Sequence, residues 1–244
     1  MPVNQFIEAL ETRRLLSLTV DVRLRDGGGK EAVVTRVGQI VRMEVWAVVT
    51  GANSTASDEH MKGLIGSFLS TNIGTGAAKG KLASVRAPKF TNLASLDGKQ
   101  ADLDHDGDYD VGANNPFPVV NFFGARGFYK TPQQTSDNYQ ADRIVGRRAE
   151  WKLADLKFTT QILLSDEDTT EVNYRPRIFN QIATAWWVQD ETVGAVYPQN
   201  GTLRIGAPVV LRYLPPAPPT SSAYRFSLGS HSIGASDEPL PALI

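Results

Sequence analysis

Alternation of apolar and polar residues is the main structural signal along this chain. In residues 18–24 every second side chain is apolar, and the run stops at Asp26 and three glycines, a turn sequence. Residues 41–49 alternate in the same way and end just before Gly51. Because successive side chains of a strand point to opposite faces, both runs predict strands with one buried face.

Further strand candidates are rich in β-branched and aromatic residues and are separated by turn-forming residues. They lie at residues 64–70, 119–123, 151–164, 171–178, 184–188 and 203–213. About eight to ten short strands with little helical periodicity predict an all-β protein, an antiparallel β-sandwich such as a jelly roll. Two longer connections, 72–100 and 124–149, are expected to be loop insertions.

Both ends of the chain differ from this central region. Residues 1–17 place apolar residues at helical spacing and predict a short amphipathic helix before the sandwich domain, residues 18–213. Residues 214–223 contain four prolines, which predicts an extended linker. Residues 224–244 then form a C-terminal strand or arm and tail, able to pair with its own sheet or with a neighbour's.

Composition narrows the classes of partner. The chain has 244 residues, with 25 basic and 26 acidic side chains and a formal net charge of -1. The basic residues are scattered, so we expect no nucleic-acid partner. No stretch reaches the roughly 20 apolar residues of a membrane helix, so we expect no membrane span. Cysteine is absent, which excludes disulfides and thiolate metal sites.

An acidic loop, which we define as residues 102–113, is the sharpest motif. Five aspartates alternate with other residues in it: Asp102, Asp104, Asp106, Asp108 and Asp110. Calcium prefers six to eight oxygen ligands, and loops that bind it place acids at positions one, three and five with glycine at six. Gly107 stands at the sixth position. The loop therefore predicts a calcium site with these five aspartates as candidate ligands.

The end of the loop departs from that pattern. Position twelve, where a bidentate acid is expected, is Ala113. The missing acid favours one of two alternatives. Either the site binds calcium with the weak affinity of extracellular modules, a dissociation constant on the order of 10⁻⁴ to 10⁻³ M, or another part of the chain supplies the ligand. The nearest side chains that could supply it are Asp97, Asn114 and Asn115. The neighbouring His105 is expected to point outward, and a solvated turn without metal is the alternative.

Catalytic motifs are missing from the sequence. The three histidines, His60, His105 and His231, belong to no nucleophile or zinc motif, so we expect no enzyme. Trp186 and Trp187 are predicted to face opposite sides of a strand, and an exposed indole could stack on a sugar ring. A carbohydrate-binding module is therefore the alternative function, and a glycoside hydrolase using two converging acids is a third.

The N-terminus resembles a segment, FExLEPRxLLS, that opens many planctomycete extracellular proteins. The matching residues are Leu10, Glu11, Arg13, Leu15, Leu16 and Ser17, whereas Thr12 replaces the usual proline. This resemblance covers about a dozen residues. It implies an extracellular or cell-surface location.

Two further resemblances concern the central domain. The acidic loop is similar to half of a dockerin or to a thrombospondin-type calcium repeat. The strands of residues 18–49, with Gly38 before the longer strand, resemble those of cohesin-like sandwiches. Together they predict a calcium-stabilised, non-catalytic structural or adhesive protein of a surface layer, fibre or appendage. Its expected partners are copies of itself or other cell-surface proteins, and a polysaccharide remains open.

Overall fold

The fold is taken from a computed structural model. It describes residues 17–25, 27, 29–51, 54–90, 96–112, 123–126, 140–176, 185–188 and 202–217. Within these ranges the chain forms the following strands, in chain order: β1 (Ser17–Leu24), β2 (Glu31–Val34), β3 (Ile40–Thr50), β4 (His60–Ile73), β5 (Ala78–Arg86), β6 (Leu96–Asp97), β7 (Gln100–Ala101), β8 (Asp110–Val111), β9 (Phe123–Arg126), β10 (Arg143–Val145), β11 (Arg148–Leu163), β12 (Thr169–Pro176), β13 (Ala185–Val188), β14 (Thr202–Ile205) and β15 (Val209–Tyr213).

The strands form two sheets, so the predicted all-β sandwich-like fold is confirmed. In the first sheet the order is β10-β11-β3-β1-β14, and β5 also pairs with β11. In the second sheet the order is β2-β15-β12-β4-β8-β7, with β13 and β9 on β4 and β6 on β9. Most neighbours are antiparallel, but β1 with β14 and β15 with β2 are parallel. The alternation of apolar and polar residues shows which face of a strand is buried, but it does not show the direction of the neighbouring strand. The two parallel pairs were therefore not predicted.

Both sheets contribute buried side chains to one hydrophobic cluster. From the first sheet come Val20, Val45 and Phe158, each fully buried. From the second, the Phe68 ring packs edge-on against Phe123, with ring centroids 4.9 Å apart. Burial of this apolar surface is the main force that holds the sheets together. It also fixes β4, the strand on which the acidic loop rests.

The predicted loop insertion at 72–100 is corrected by the structure, because it contains strand β5. Ala78, Gly80 and Leu82 are buried in alternation with lysines, so the strand period is present in small residues. A Cβ on Gly80 would lie 2.4 Å from the carbonyl oxygen of Thr159 and 2.6 Å from the Phe158 ring. Glycine is therefore required at position 80, where β5 lies against β11. Glycine and alanine have low strand propensity, which hid the strand.

Gln39 closes the outer edge of β2. Its Oε1 accepts the backbone N–H of Thr35 at 2.8 Å, and its Nε2 donates to the carbonyl of Val33 at 2.7 Å. Another strand would use the same backbone groups, because β15 already pairs with the opposite edge of β2. Within the described ranges β2 ends the second sheet, and the Gln39 amide obstructs edge-to-edge pairing there.

Several predictions concern residues beyond the described ranges. These are the N-terminal helix, Ala113 with the possible ligands Asn114 and Asn115, most of the linker, and the arm at 224–244. Among the described residues there is no helical segment with the length and hydropathy of a membrane span.

Candidate metal site

The acidic loop connects two short paired strands and lies against β4 and β5. Its base is closed by the pairing of Ala101 in β7 with Asp110 in β8. At Tyr109 the backbone joins β5: the N–H donates to Gly80 at 2.9 Å, and the carbonyl accepts the Leu82 N–H at 2.7 Å. The Tyr109 carbonyl is therefore engaged in the strand contact.

Two residues between Asp102 and Asp110 have left-handed backbone conformations. His105 has φ 64° and is exposed, as predicted, and Gly107 has φ 90°. A Cβ at Gly107 would lie 2.7 Å from the Lys79 ammonium nitrogen. The positive φ favours glycine at this position, whereas the flexible lysine side chain could move away from a Cβ. The contact places the Lys79 ammonium of β5 at the Gly107 turn.

Two aspartates bind the backbone of β4 beyond the point where β8 pairs with it. Asp110 Oδ1 accepts the Ser70 N–H at 2.7 Å, and Asp106 Oδ2 accepts the Asn72 N–H at 2.8 Å. The other Asp110 oxygen accepts the Leu103 N–H at 2.8 Å. These carboxylates take the place of the carbonyl groups of a neighbouring strand. They satisfy the open edge of β4 and fix the loop on it.

Hydroxyl groups of β4 bind two further aspartates. Ser70 Oγ donates to Asp108 Oδ1 at 2.8 Å, and Thr71 Oγ1 donates to Asp104 Oδ2 at 2.8 Å. Inside the loop, the Gly107 N–H donates to Asp102 Oδ2 at 3.2 Å. Every aspartate of the motif therefore has at least one oxygen held in place, which makes the set of carboxylates ordered.

In the described part of the acidic loop, three carboxylate oxygens are buried without a hydrogen-bond partner. They are Asp102 Oδ1, Asp104 Oδ1 and Asp108 Oδ2. Such groups are rare in folded proteins because burying an unpaired polar atom, above all a charged one, is costly. Their burial is explained if a cation lies among them, since hard cations bind carboxylate oxygens.

The aspartates form two overlapping groups with the spacing of metal ligands. In each group the candidate ligand atoms lie within 4.8 Å of one another. The outer group contains Asp102, Asp104 and Asp106, and the inner group contains Asp104, Asp108 and Asp110. All five predicted site residues are thus brought together, while metal binding itself stays a prediction.

In the absence of metal, the raised pKa values of the loop aspartates show that burial and mutual repulsion disfavour their ionised forms. Burial raises the pKa of Asp108 to about 9; the hydrogen bond from Ser70 opposes the shift, and the charge of Asp106 adds to it. Burial raises the pKa of Asp110 to about 6 despite its hydrogen bonds. The pKa of Asp104 is raised as well, by burial first. A bound cation would remove much of this cost, because it stabilises the ionised carboxylates.

Asp108 lies where a predicted ligand should, whereas Asp97 does not. The Asp108 side chain is only 2% exposed and belongs to the inner group. Asp97, considered as a borrowed ligand, instead accepts the Arg86 N–H at 2.8 Å and forms an ion pair with the same arginine. Asp97 is therefore engaged outside the two groups of aspartates.

Sequence reasoning missed the residues that support the loop from outside it. Ser70, Thr71 and Asn72 bind the aspartates from β4, and Lys79 approaches from β5. A signal was present, since three polar residues in a row end the apolar run of β4. Their pairing with the loop requires the tertiary fold, because they lie about thirty residues earlier.

The tryptophan pair lies on β13, which pairs with β4. Trp186 is opposite Gly63 and Trp187 is opposite Met61, with a register shift between them. The register shift skips Lys62 of β4 and leaves the prediction of opposite faces untested. The two indole side chains lie outside the description, so the carbohydrate-binding alternative stays a prediction.

No protein-family model matches this chain, and comparison with curated proteins gives no significant match.

Replacing Asp110 by alanine should destabilise the protein even in chelator. The N–H groups of Ser70 and Leu103 would lose their acceptor in a buried place, at roughly 1–3 kcal/mol for each unsatisfied group. The free energy of unfolding from urea titration measures the effect. Asp166→Ala, at an exposed aspartate, is the matched control. Equal stability of the two variants would contradict the role assigned to Asp110.

Stability of the metal-free protein should fall as pH rises. The pKa values of Asp108 and Asp110 in the folded state, about 9 and about 6, exceed the ordinary 3.8. Between 3.8 and these raised values the folded state binds more protons than the unfolded state, so the stabilisation is complete below about pH 4 and is lost progressively up to about pH 9. Urea unfolding at several pH values tests this. Asp108→Asn should flatten the dependence, and a wild-type stability that rises from pH 5 to 9 would contradict it.

Proposed function

We propose that this chain is a non-catalytic extracellular protein of a surface layer, fibre or appendage, with calcium stabilising its sandwich at the acidic loop. The observation that carries the proposal is the set of three buried, unpartnered carboxylate oxygens on Asp102, Asp104 and Asp108. Calcium bound there would serve a structural or adhesive role. In that role the protein would contact copies of itself or other cell-surface proteins.

The ligand chemistry favours calcium. All candidate ligands are carboxylate oxygens, and no cysteine exists in the chain to favour a soft metal. Calcium accepts six to eight oxygens in variable geometry, whereas magnesium requires near-ideal octahedral geometry and retains several waters. An irregular loop rich in carboxylates therefore fits calcium better than magnesium.

The position of the loop favours a structural role over catalysis. It contacts β4 through Ser70 and Asn72 and contacts β5 through Gly80 and Leu82. Asp108 and Asp110 are 2% and 0% exposed, so a substrate would not reach them. Calcium bound here would hold these strands together, and it would stabilise the folded state by mass action.

The location is inferred from two properties of the sequence. The N-terminal segment resembles one found in exported planctomycete proteins, and the match includes Leu10, Glu11 and Arg13. The departure from the twelve-residue calcium loop at Ala113 suits an affinity on the order of 10⁻⁴ to 10⁻³ M, as in extracellular modules. Such a site would be filled only where calcium is abundant.

Calcium should raise the melting temperature, and chelation should lower it reversibly. If the dissociation constant is about 10⁻⁴ M, calcium at 100 times that concentration adds about 2.7 kcal/mol to the free energy of unfolding. Differential scanning calorimetry of chelator-treated protein, with and without added calcium, measures the effect. The control is Asp104→Asn, whose melting temperature should respond much less to calcium.

A wild-type melt that is unchanged by calcium, with no metal found by elemental analysis, would refute the proposed calcium site.

Assembly is assigned to the C-terminal arm. The apolar residues Tyr224, Phe226 and Leu228 alternate with other residues after a proline-rich linker, which suits addition to a neighbour's sheet. The outer edge of β2 is a poor place for such a strand to pair, because the Gln39 amide already binds its backbone groups.

A chain that ends at Ala217 should therefore remain monomeric under conditions in which the full chain self-associates. Sedimentation velocity in calcium buffer compares the two. A matched control keeps the full length and replaces Tyr224, Phe226 and Leu228 by serine, which removes the apolar face of the arm. Identical sedimentation of the three chains would count against assembly through the arm.

A further inference from the structure

The acidic loop has an outer and an inner group of ligands that share one residue. The outer group, with Asp102 and Asp106, is half-buried, whereas Asp108 and Asp110 of the inner group are enclosed by the protein. Asp104 belongs to both groups. One loop thus presents two clusters of three carboxylates, and in each cluster the ligand atoms are close enough together to bind one cation.

Each group contains an unpartnered oxygen of its own. Asp102 Oδ1 lies in the outer group and Asp108 Oδ2 in the inner group, and both are buried without a hydrogen bond. Neither group contains both of these residues. The remaining unpartnered oxygen, Asp104 Oδ1, is on the shared residue. One cation in one group would leave an unpartnered carboxylate oxygen in the other.

The charge of the loop agrees with more than one cation. Five aspartates lie within nine residues, and the Lys79 ammonium approaches them at Gly107. One dication together with Lys79 would leave two negative charges uncompensated in a partly buried place. A second dication would make the cluster neutral. At the short distances involved, mutual repulsion of like charges in a partly buried site is strong.

We propose that the acidic loop binds two calcium ions, one in the outer and one in the inner group, with the Asp104 carboxylate shared between them. This inference rests on the proposed calcium site and specifies its stoichiometry. The inner ion is held by Asp108 and Asp110 against β4. The outer ion is held by Asp102 and Asp106 near the loop surface, and it exchanges faster with solvent.

Native mass spectrometry of the full chain, freed of metal and titrated with calcium chloride, counts the ions. Wild-type protein should bind two. Asp102→Asn should remove the outer ion and Asp108→Asn the inner ion, so each variant should bind one. Asp104→Asn, at the shared ligand, should weaken both steps at least tenfold. Asp166→Asn, an exposed aspartate outside the loop, should still bind two.

The outcomes separate this inference from the proposed function. A wild-type count of one, abolished by either Asp102→Asn or Asp108→Asn, would overturn the two-ion site and leave the calcium clamp intact. A count of zero in the wild-type chain would overturn both. Two ions that persist in Asp104→Asn at unchanged affinity would show binding elsewhere and would also overturn the inference.

Discussion

The attachment of the acidic loop to the open edge of β4 is the interaction on which the candidate site depends. Asp110 and Asp106 accept the N–H groups of Ser70 and Asn72, which would otherwise lack a neighbouring strand. β4 in turn is fixed by the core, where Phe68 packs against Phe123. The hydrophobic effect therefore positions the strand, and the strand positions the carboxylates.

This arrangement gives the aspartates different tasks. Asp110 uses both oxygens to bind backbone N–H groups, so it organises the loop as well as contributing negative charge. Asp102, Asp104 and Asp108 each retain a buried oxygen with no partner. Hydrogen bonds thus order the loop, but its negative charges are not compensated. Burial accordingly raises the pKa of Asp108 and Asp104. A cation would complete it, and that is the physical basis of the proposed clamp.

Sequence patterns predicted the parts of this structure that depend on local periodicity. Alternating apolar residues located β1 and β3, and the spacing of the aspartates identified a single acidic cluster. Small buried residues such as Gly80 concealed β5, because the strand period survived without strand-forming side chains. The roles of Ser70 and Lys79 depend on contacts between distant segments, which no spacing along the chain reveals.

Crystallography can show whether calcium lies among the unpartnered oxygens of the loop. Crystals grown with calcium, and a second set with terbium, should give anomalous peaks in the acidic loop. Density is expected about 2.3–2.6 Å from Asp104 Oδ1 and from Asp108 Oδ2 in the calcium form. Maps at millimolar calcium with only water hydrogen-bonded to these oxygens would contradict it.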